Sequence, residues 1–458
     1  MELVIKGGKI ITAEREFRAD IGIKYGKIAA IGKLEKRAAP NIVNASGMLV
    51  LPGVIDAHTH FQLPAGGTVT AEDFSSGTRA AACGGVTTVI DFAIQHKGQT
   101  LAETVRARRE EADGKVAIDY SLHVTPTDWT ERTIRELSQL SRRGFPSFKL
   151  YMTYGKQGLK SDDVAMFRAL EETSKFSGLI TVHAESPDVL DMLIERYLKP
   201  ELMKKFGAWC HVLSRPNYIE AEAIQRAIVW AKATGGRLYI VHMSTAEGTQ
   251  IVQAAQKEGV RVMAETCPHY LVLDDSVFKR PNGHRFATCP QIKKKADSER
   301  LWQGIAEGTI SVIATDNCTF TKRQKDQWGG DFTKIPYGVP GSELLLPLTH
   351  TFGVVKKRLS LRRMVAVLAA NPAKIFGLYP RKGTITVGAD ADLVVFDPQK
   401  KVIINHDNLQ TACDWSPYEG IKLLGYPVMT ISRGKIVVRE DKFVGAEGRG
   451  RLIKRIRP

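Results

Sequence analysis

The chain has 458 residues, 43% of them hydrophobic and 25% charged, a balance ordinary for a water-soluble globular protein. That length suits a large domain with a smaller satellite and excludes a small disulfide-stapled scaffold. The formal net charge of +16 raises nucleic acid as a partner, but the basic clusters 293–295 and 449–457 are short and lack interleaved aromatics, so none is expected.

The opening MELVIKGGKI has no apolar signal core, and no stretch approaches the run of about 20 apolar residues that spans a bilayer. Neither secretion nor membrane association is therefore expected. Six scattered cysteines (Cys83, Cys210, Cys267, Cys289, Cys318, Cys413) form no CxxC pair. That pattern fits reduced thiols in the cytoplasm.

Up to residue 52, short β-type runs alternate with glycine turns, as in LVIKGGKIIT and ADIGIKYGKIAAIG. A small sheet or sandwich is predicted there. From Val50–His60 onward the texture changes. Apolar strand candidates follow at 86–92, 117–124, 147–152, 179–185, 237–244, 261–266 and 310–316. Helical stretches such as DVAMFRALEETSKF and EAEAIQRAIVWAKATG lie between them. Strands alternating with helices imply a parallel sheet under helices, and a count approaching eight predicts an α/β fold of the (β/α)8, TIM-like kind. An open doubly wound sheet is the alternative, but no GxGxxG follows the first strand. Near the end, GTITVGADADLVVFDP and VMTISRGKIVV return to the opening texture. We therefore expect a β-sandwich domain of residues 1–52 plus 381–458, flanking a catalytic barrel of 53–380.

Polar residues interrupt these strands at their C-terminal ends: His58 and His60, Lys149, His183, His242 and Asp316. In a barrel those ends converge on one cavity. One histidine ending a strand is usually a satisfied structural residue; four with an aspartate at equivalent ends are hard to explain that way. His58 and His60, two apart on a strand, point to the same side and can reach one metal. Imidazole and carboxylate suit zinc, which lowers the pKa of bound water to about 7. Four histidines and one aspartate supply too little negative charge to bridge two such ions. Lys149 is the candidate bridge: an ammonium would be repelled, whereas a neutral amine that has taken up carbon dioxide becomes an anionic carbamate. Asn317 is expected to shape the loop around Asp316. His269, in ETCPHYL, is expected to pack or hydrogen-bond rather than ligate, and Cys318 to pack.

At this point the residues resemble a family. GVIDAHTHFQLPAGGTVTAEDFSSGTRAAACGGVTTVIDF is similar to the dihydropyrimidinase and D-hydantoinase branch of the amidohydrolase superfamily. So are SFKLYMTY, VHAE, YIVHMS, ETCPHYL, ATDNCTF, DFTKIPYGVPG and NPAKIFGLYPRKGTITVGADADLVVFDP. The resemblance covers essentially the whole chain. It implies a homotetramer with two zinc ions per chain. One ion would be held by His58, His60, Lys149 and Asp316, the other by Lys149, His183 and His242. Lys149 would carry the carboxylation, as N6-carboxylysine. Asp316 would act as general base and then acid, and Tyr154 would donate to the oxyanion. The implied reaction is hydrolytic opening of a cyclic ureide, taking dihydropyrimidines or hydantoins to N-carbamoyl amino acids.

Two departures fall in the substrate pocket. Tyr337 stands where relatives commonly have the asparagine of IPNG, and Cys289-Pro290-Gln291 replaces Ser-Pro-Pro. Both Cys289 and Tyr337 are expected to contact the ring through main-chain groups. A dihydroorotase would carry an arginine just after the HxH, where this chain has Phe61, Gln62 and Leu63. An allantoinase-type ureide hydrolase is an alternative with similar metal ligation. A non-catalytic scaffold of the same fold is another, but it would not need all six donor residues.

Overall fold

A computed structural model of the chain describes residues 1–35 and 39–457. Eight parallel strands form the central sheet: β1 (Val54–Thr59), β2 (Val86–Ile94), β3 (Asp119–Thr125), β4 (Ser147–Tyr151), β5 (Leu179–His183), β6 (Arg237–Ile240), β7 (Val262–Thr266) and β8 (Val312–Ile313). Each strand pairs with its neighbours in sequence. A bridge between Thr59 and Asn317 brings the end of the last strand beside the first. The result is the nearly closed (β/α)8 barrel that the alternating pattern predicts.

Strand periodicity explains which residues meet. Phe148, Leu150, Ile180 and Val182 pack outward with Leu137, Leu140, Met166 and Ala169 of the covering helices. The alternating residues Ser147, Lys149 and Tyr151, with Thr181 and His183, therefore turn into the lumen. Lower in the lumen, Ile55, Ile90, Leu179, Tyr239 and Val312 cluster with Phe376, Leu378 and Ile453 from the C-terminal part of the chain. The rings of Tyr239 and Phe376 are 5.1 Å apart. This apolar plug fills the end where the strands begin, leaving the opposite end for polar groups.

The two ends of the chain build a second unit. A four-stranded sheet from the first 44 residues faces a seven-stranded sheet that adds Leu393–Ile403, Lys422–Ser432 and two shorter C-terminal strands to N-terminal ones. Leu3, Ile5, Ile21 and Ile23 meet Val50, Leu393, Val395 and Ile431 in one core between them. The expected opening strand Val50–His60 is broken in two. Residues Leu49–Pro52 pair antiparallel with 393–396 in the terminal sheet, and only Val54–Thr59 enters the barrel. The break is at Gly53, where an added Cβ would lie 2.1 Å from Thr87 Oγ1. The Thr87 side chain packs directly against the junction, so only glycine leaves room there.

Among the described residues no helix is long and apolar enough to cross a membrane. A buried ion cluster joins the two units. Lys382, 2% exposed, places Nζ 2.8 Å from Asp119 and 2.5 Å from Asp392. Arg433 adds a contact to Asp119 at 3.0 Å. Asp119, Asp390 and Asp392 are close enough to hold a cation, but these basic side chains, with Lys27 and Arg381 on Asp390, already neutralise them. Lys382→Met should destabilise the protein by about 3–5 kcal/mol, because it strands buried carboxylates without their cation. Chemical unfolding of the variant checks this, and an unchanged midpoint would contradict it.

Candidate active site

The six polar strand-end residues lie together. His58 Nε2 and His60 Nε2 approach Asp316 Oδ1 at 3.2 and 3.1 Å, and donor atoms of all three lie within 4.8 Å of one another. Beside them, His183 Nδ1 is 2.9 Å from His242 Nε2. The His58 and His242 rings, 5.5 Å apart, connect the two groups. Lys149 is fully buried. Its Nζ lies 5.4 Å from the centre of the Phe92 ring and 4.9 Å from that of Tyr151. Phe92 also packs on His58 and His60, and Tyr151 on His183, so the amine lies between the two histidine groups.

The protonation states suit metal binding. Burial pushes the Lys149 amine down to about 8, against the pull of Asp316 and Glu265. Burial also holds His58 and His242 well below the usual imidazole range. For Asp316 burial acts upward, but His58, His60 and His242 outweigh it and keep the carboxyl ionised. Neutral imidazoles, an ionised carboxylate and a readily deprotonated amine are the forms a cation recruits. His58 Nε2 and Lys149 Nζ, both within the cluster, are buried without a hydrogen bond. Such orphans are rare in folded proteins and mark a place built for something else.

Two carboxylates that the sequence reading passed over hold the imidazoles in place. Glu265 Oε1 lies 2.6 Å from His58 Nδ1 and accepts the His242 backbone N–H at 3.1 Å. Its other oxygen accepts from the Tyr239 hydroxyl at 2.8 Å. Glu185 Oε2 lies 2.9 Å from His183 Nε2, with Arg215 Nε 3.5 Å from its other oxygen. Each contact occupies the outer nitrogen and turns the inner one toward the cluster. Asp56 fixes the turn before Asp316 by accepting from the Thr315 hydroxyl at 2.6 Å and its backbone N–H at 3.0 Å. Asn317 shapes the loop as expected, donating to Glu72 at 2.8 Å and accepting from the Gly341 N–H at 2.8 Å. Tyr154, His242 and Asp316 have left-handed backbones, with φ of 66°, 38° and 51°. Strain of that kind in side-chained residues persists where the surroundings impose it, often at functional sites.

The residues expected to meet substrate share one wall. The Tyr154 ring lies 5.0 Å from that of His183, and its hydroxyl faces the Cys289 thiol. Burial keeps that hydroxyl protonated and pushes Cys289 up to about 12, so both are neutral. Tyr337 stacks on His211 at 4.8 Å and 28°, with the Arg215 guanidinium 5.3 Å from its ring centre. Its hydroxyl donates to the Phe332 carbonyl at 3.3 Å. His211 and Arg215 were not anticipated. They lie in and just after the five-residue helix Trp209–Leu213, too short to show a periodic signal. His123 is structural, bonded to Ser147 and the Ala57 carbonyl. His269 packs on Tyr270, one of the two roles expected of it, and makes no hydrogen bond. Glu265→Gln should weaken metal affinity about 10- to 100-fold, the usual effect of losing an outer carboxylate. Chelator competition measures this, and an unchanged affinity would contradict the role given to Glu265.

The family described as "Amidohydrolase family" matches residues 49–437. The chain is 40% identical over 459 residues to a D-hydantoinase of Geobacillus stearothermophilus, covering 99% of this chain and 97% of that protein. A crystal structure of a D-hydantoinase superposes with a TM-score of 0.97 at 39% identity, covering 100% of this chain and 99% of the other. A dihydropyrimidinase from Brevibacillus agri also gives 0.97, at 36% identity and the same coverage. Agreement of this extent, in sequence and backbone alike, places the chain in the amidohydrolase family, in its dihydropyrimidinase and D-hydantoinase branch.

Proposed function

We propose that the chain is a zinc-dependent cyclic amidohydrolase that opens 5,6-dihydropyrimidines and hydantoins to N-carbamoyl amino acids. The observation that carries this reading is the buried, unpaired amine of Lys149 between two histidine groups and Asp316. The names of its relatives, D-hydantoinase and dihydropyrimidinase, support the substrate class.

The donor chemistry fits two zinc ions. His58, His60, Lys149 and Asp316 would hold one, and Lys149, His183 and His242 the other. Lys149 would serve both only as a carbamate, because an ammonium would repel both cations. Zinc bound there supplies water with a pKa near 7 and polarises the scissile carbonyl. The chain's own groups do the rest. Asp316, kept ionised by its imidazole neighbours, takes the proton of the attacking water and delivers it to the leaving ring nitrogen. Tyr154, kept protonated by burial, donates to the carbonyl oxygen as it gains negative charge. Main-chain groups at Cys289 and Tyr337 hold the remainder of the ring. The Tyr337 side chain, fixed by His211 and Arg215, limits what can project from it.

We also propose a cytoplasmic homotetramer. Val164, Val189, Met192, Tyr218 and Val229 are exposed apolar side chains on three outer helices, two of them joined by the Arg226–Asp163 ion pair at 3.3 Å. The three helices pack on one another through that pair and through Leu190, Leu193 and Ile219, and their exposed apolar side chains suit a subunit contact.

Purified zinc-loaded protein offered dihydrouracil, phenylhydantoin, allantoin and dihydroorotate should turn over the first two. No turnover of any cyclic ureide would contradict the reading. Lys149→Ala should lose metal and activity together, as read by elemental analysis and ring-opening assay. Tyr154→Phe should keep its metal and lose about 10²- to 10³-fold in kcat, the usual effect of removing an oxyanion donor.

A further inference from the structure

Asp316 has a strained left-handed backbone, so its turn must be held from both sides. Asp56 holds the side before it, through Thr315. The side after it is held by Asn317, whose side-chain amide has one accepting and one donating end. Its Oδ1 accepts the backbone N–H groups of Gly341 and Ser342, at 2.8 and 3.2 Å. Its backbone carbonyl accepts the His60 N–H at 2.9 Å. Its Nδ2 donates to Glu72 Oε2 at 2.8 Å, and that bond decides which way the amide points.

Glu72 is a buried carboxyl, 2% exposed, that the reaction outlined above does not use. Its backbone N–H donates to Thr319 Oγ1 at 3.0 Å, three residues beyond Asp316. Its second oxygen, Oε1, accepts from the Thr411 hydroxyl at 2.6 Å. Burial raises its pKa, and the bonds from Thr411 and Asn317 oppose the rise. Thr411 belongs to the terminal unit, in the connection 404–421 between its two long strands Leu393–Ile403 and Lys422–Ser432. The same connection grips the chain beyond Asn317. Cys413 Sγ and Trp415 Nε1 both donate to the Phe320 carbonyl, at 3.2 and 2.8 Å, and Asp414 accepts the Lys322 N–H at 2.8 Å. Cys413 and Trp415 also pack on Val339, just before Gly341. One loop of the terminal sheet thus backs both turns that Asn317 joins.

We propose that Glu72 is a positioning residue for Asp316: it orients Asn317, and through it the strained turn that presents the base, while Thr411 of the terminal unit holds Glu72. The proposal rests on the cyclic-ureide reading above, which makes Asp316 the base. A misplacement of about 1 Å in a reacting group can cost about 10²-fold in rate. Neither Glu72 nor Thr411 touches the substrate in this scheme, so loss of either falls on turnover rather than on binding.

The test uses unsubstituted hydantoin at equal zinc content, so that lost metal does not enter. Glu72→Leu should lower kcat about 10- to 100-fold with KM within about 3-fold of the wild type. Glu72→Gln, whose oxygen can still accept from Asn317, should stay within about 5-fold in kcat. Thr411→Val should lower kcat about 3- to 10-fold, and adding it to Glu72→Leu should lower kcat no further, because both act along one path. Metal-free crystals of the wild type and of Glu72→Leu should show Asp316 displaced by about 1 Å between them. An unchanged kcat in Glu72→Leu, a glutamine variant as slow as the leucine one, additive losses in the double variant, or an undisplaced Asp316 would each overturn the proposal. Should Glu72→Leu not fold, Thr411→Val carries the test beside Thr411→Ser, which keeps the hydroxyl and should keep kcat; equal rates in the two would overturn it. A wild type inactive on every cyclic ureide would instead defeat the functional reading, and the position of Asp316 in the crystals would still decide whether Glu72 holds that turn.

Discussion

Lys149 lies fully buried among imidazoles, its amine without a hydrogen bond and Asp316 and Glu265 the carboxylates acting on it. A cation in that position is strongly disfavoured, which is why burial lowers its affinity for a proton. The rest of the site is arranged around this one unfavourable placement. Burial keeps His58, His183 and His242 neutral, Asp316 is kept ionised, and Glu265 and Glu185 turn imidazole nitrogens inward. Imidazole nitrogens and an unpaired amine gathered around an ionised carboxylate make a coherent structure if something electron-poor sits among them. The proposed carbamate and two zinc ions would engage Lys149 and the inward-facing nitrogens together.

The fold supports this in a simple way. Strands buried on both faces put apolar residues toward the helices and leave the lumen residues free to differ. Phe376, Leu378 and Ile453 fill the lower lumen, so polar lumen residues collect at the other end. The buried cluster of Lys382, Asp119, Asp392 and Arg433 then locks the terminal sheets against the barrel. It lies apart from the candidate site, beside the start of β3 rather than its end. Ionic groups are thus buried in two places with opposite results: one set neutralises itself, and the other is left open.

The sequence made the barrel and the six strand-end residues legible because both follow from periodicity. Strand ends were less so, and the reason is local. The expected strands 237–244 and 310–316 shorten to Arg237–Ile240 and Val312–Ile313. His242 and Asp316 take left-handed backbones and leave the extended conformation just where the chemistry sits. Gly53 similarly splits one apolar run between two sheets. Glu265 and Glu185 look in sequence like any acidic residue after a strand, and only their distances to His58 and His183 reveal their role. His211 and Arg215 lie in and just after one short helix whose position depends on tertiary packing. They matter because they clamp Tyr337, one of the departures in the expected substrate pocket.

The proposed chemistry depends on Lys149 joining two metal ions. A crystal structure of zinc-loaded protein, with anomalous scattering collected at the zinc edge, reads this out. Two anomalous peaks are expected, one beside His58, His60 and Asp316 and one beside His183 and His242, with continuous density from Lys149 Nζ to both. A single peak, or a bare Lys149 amine beside two peaks, would contradict it.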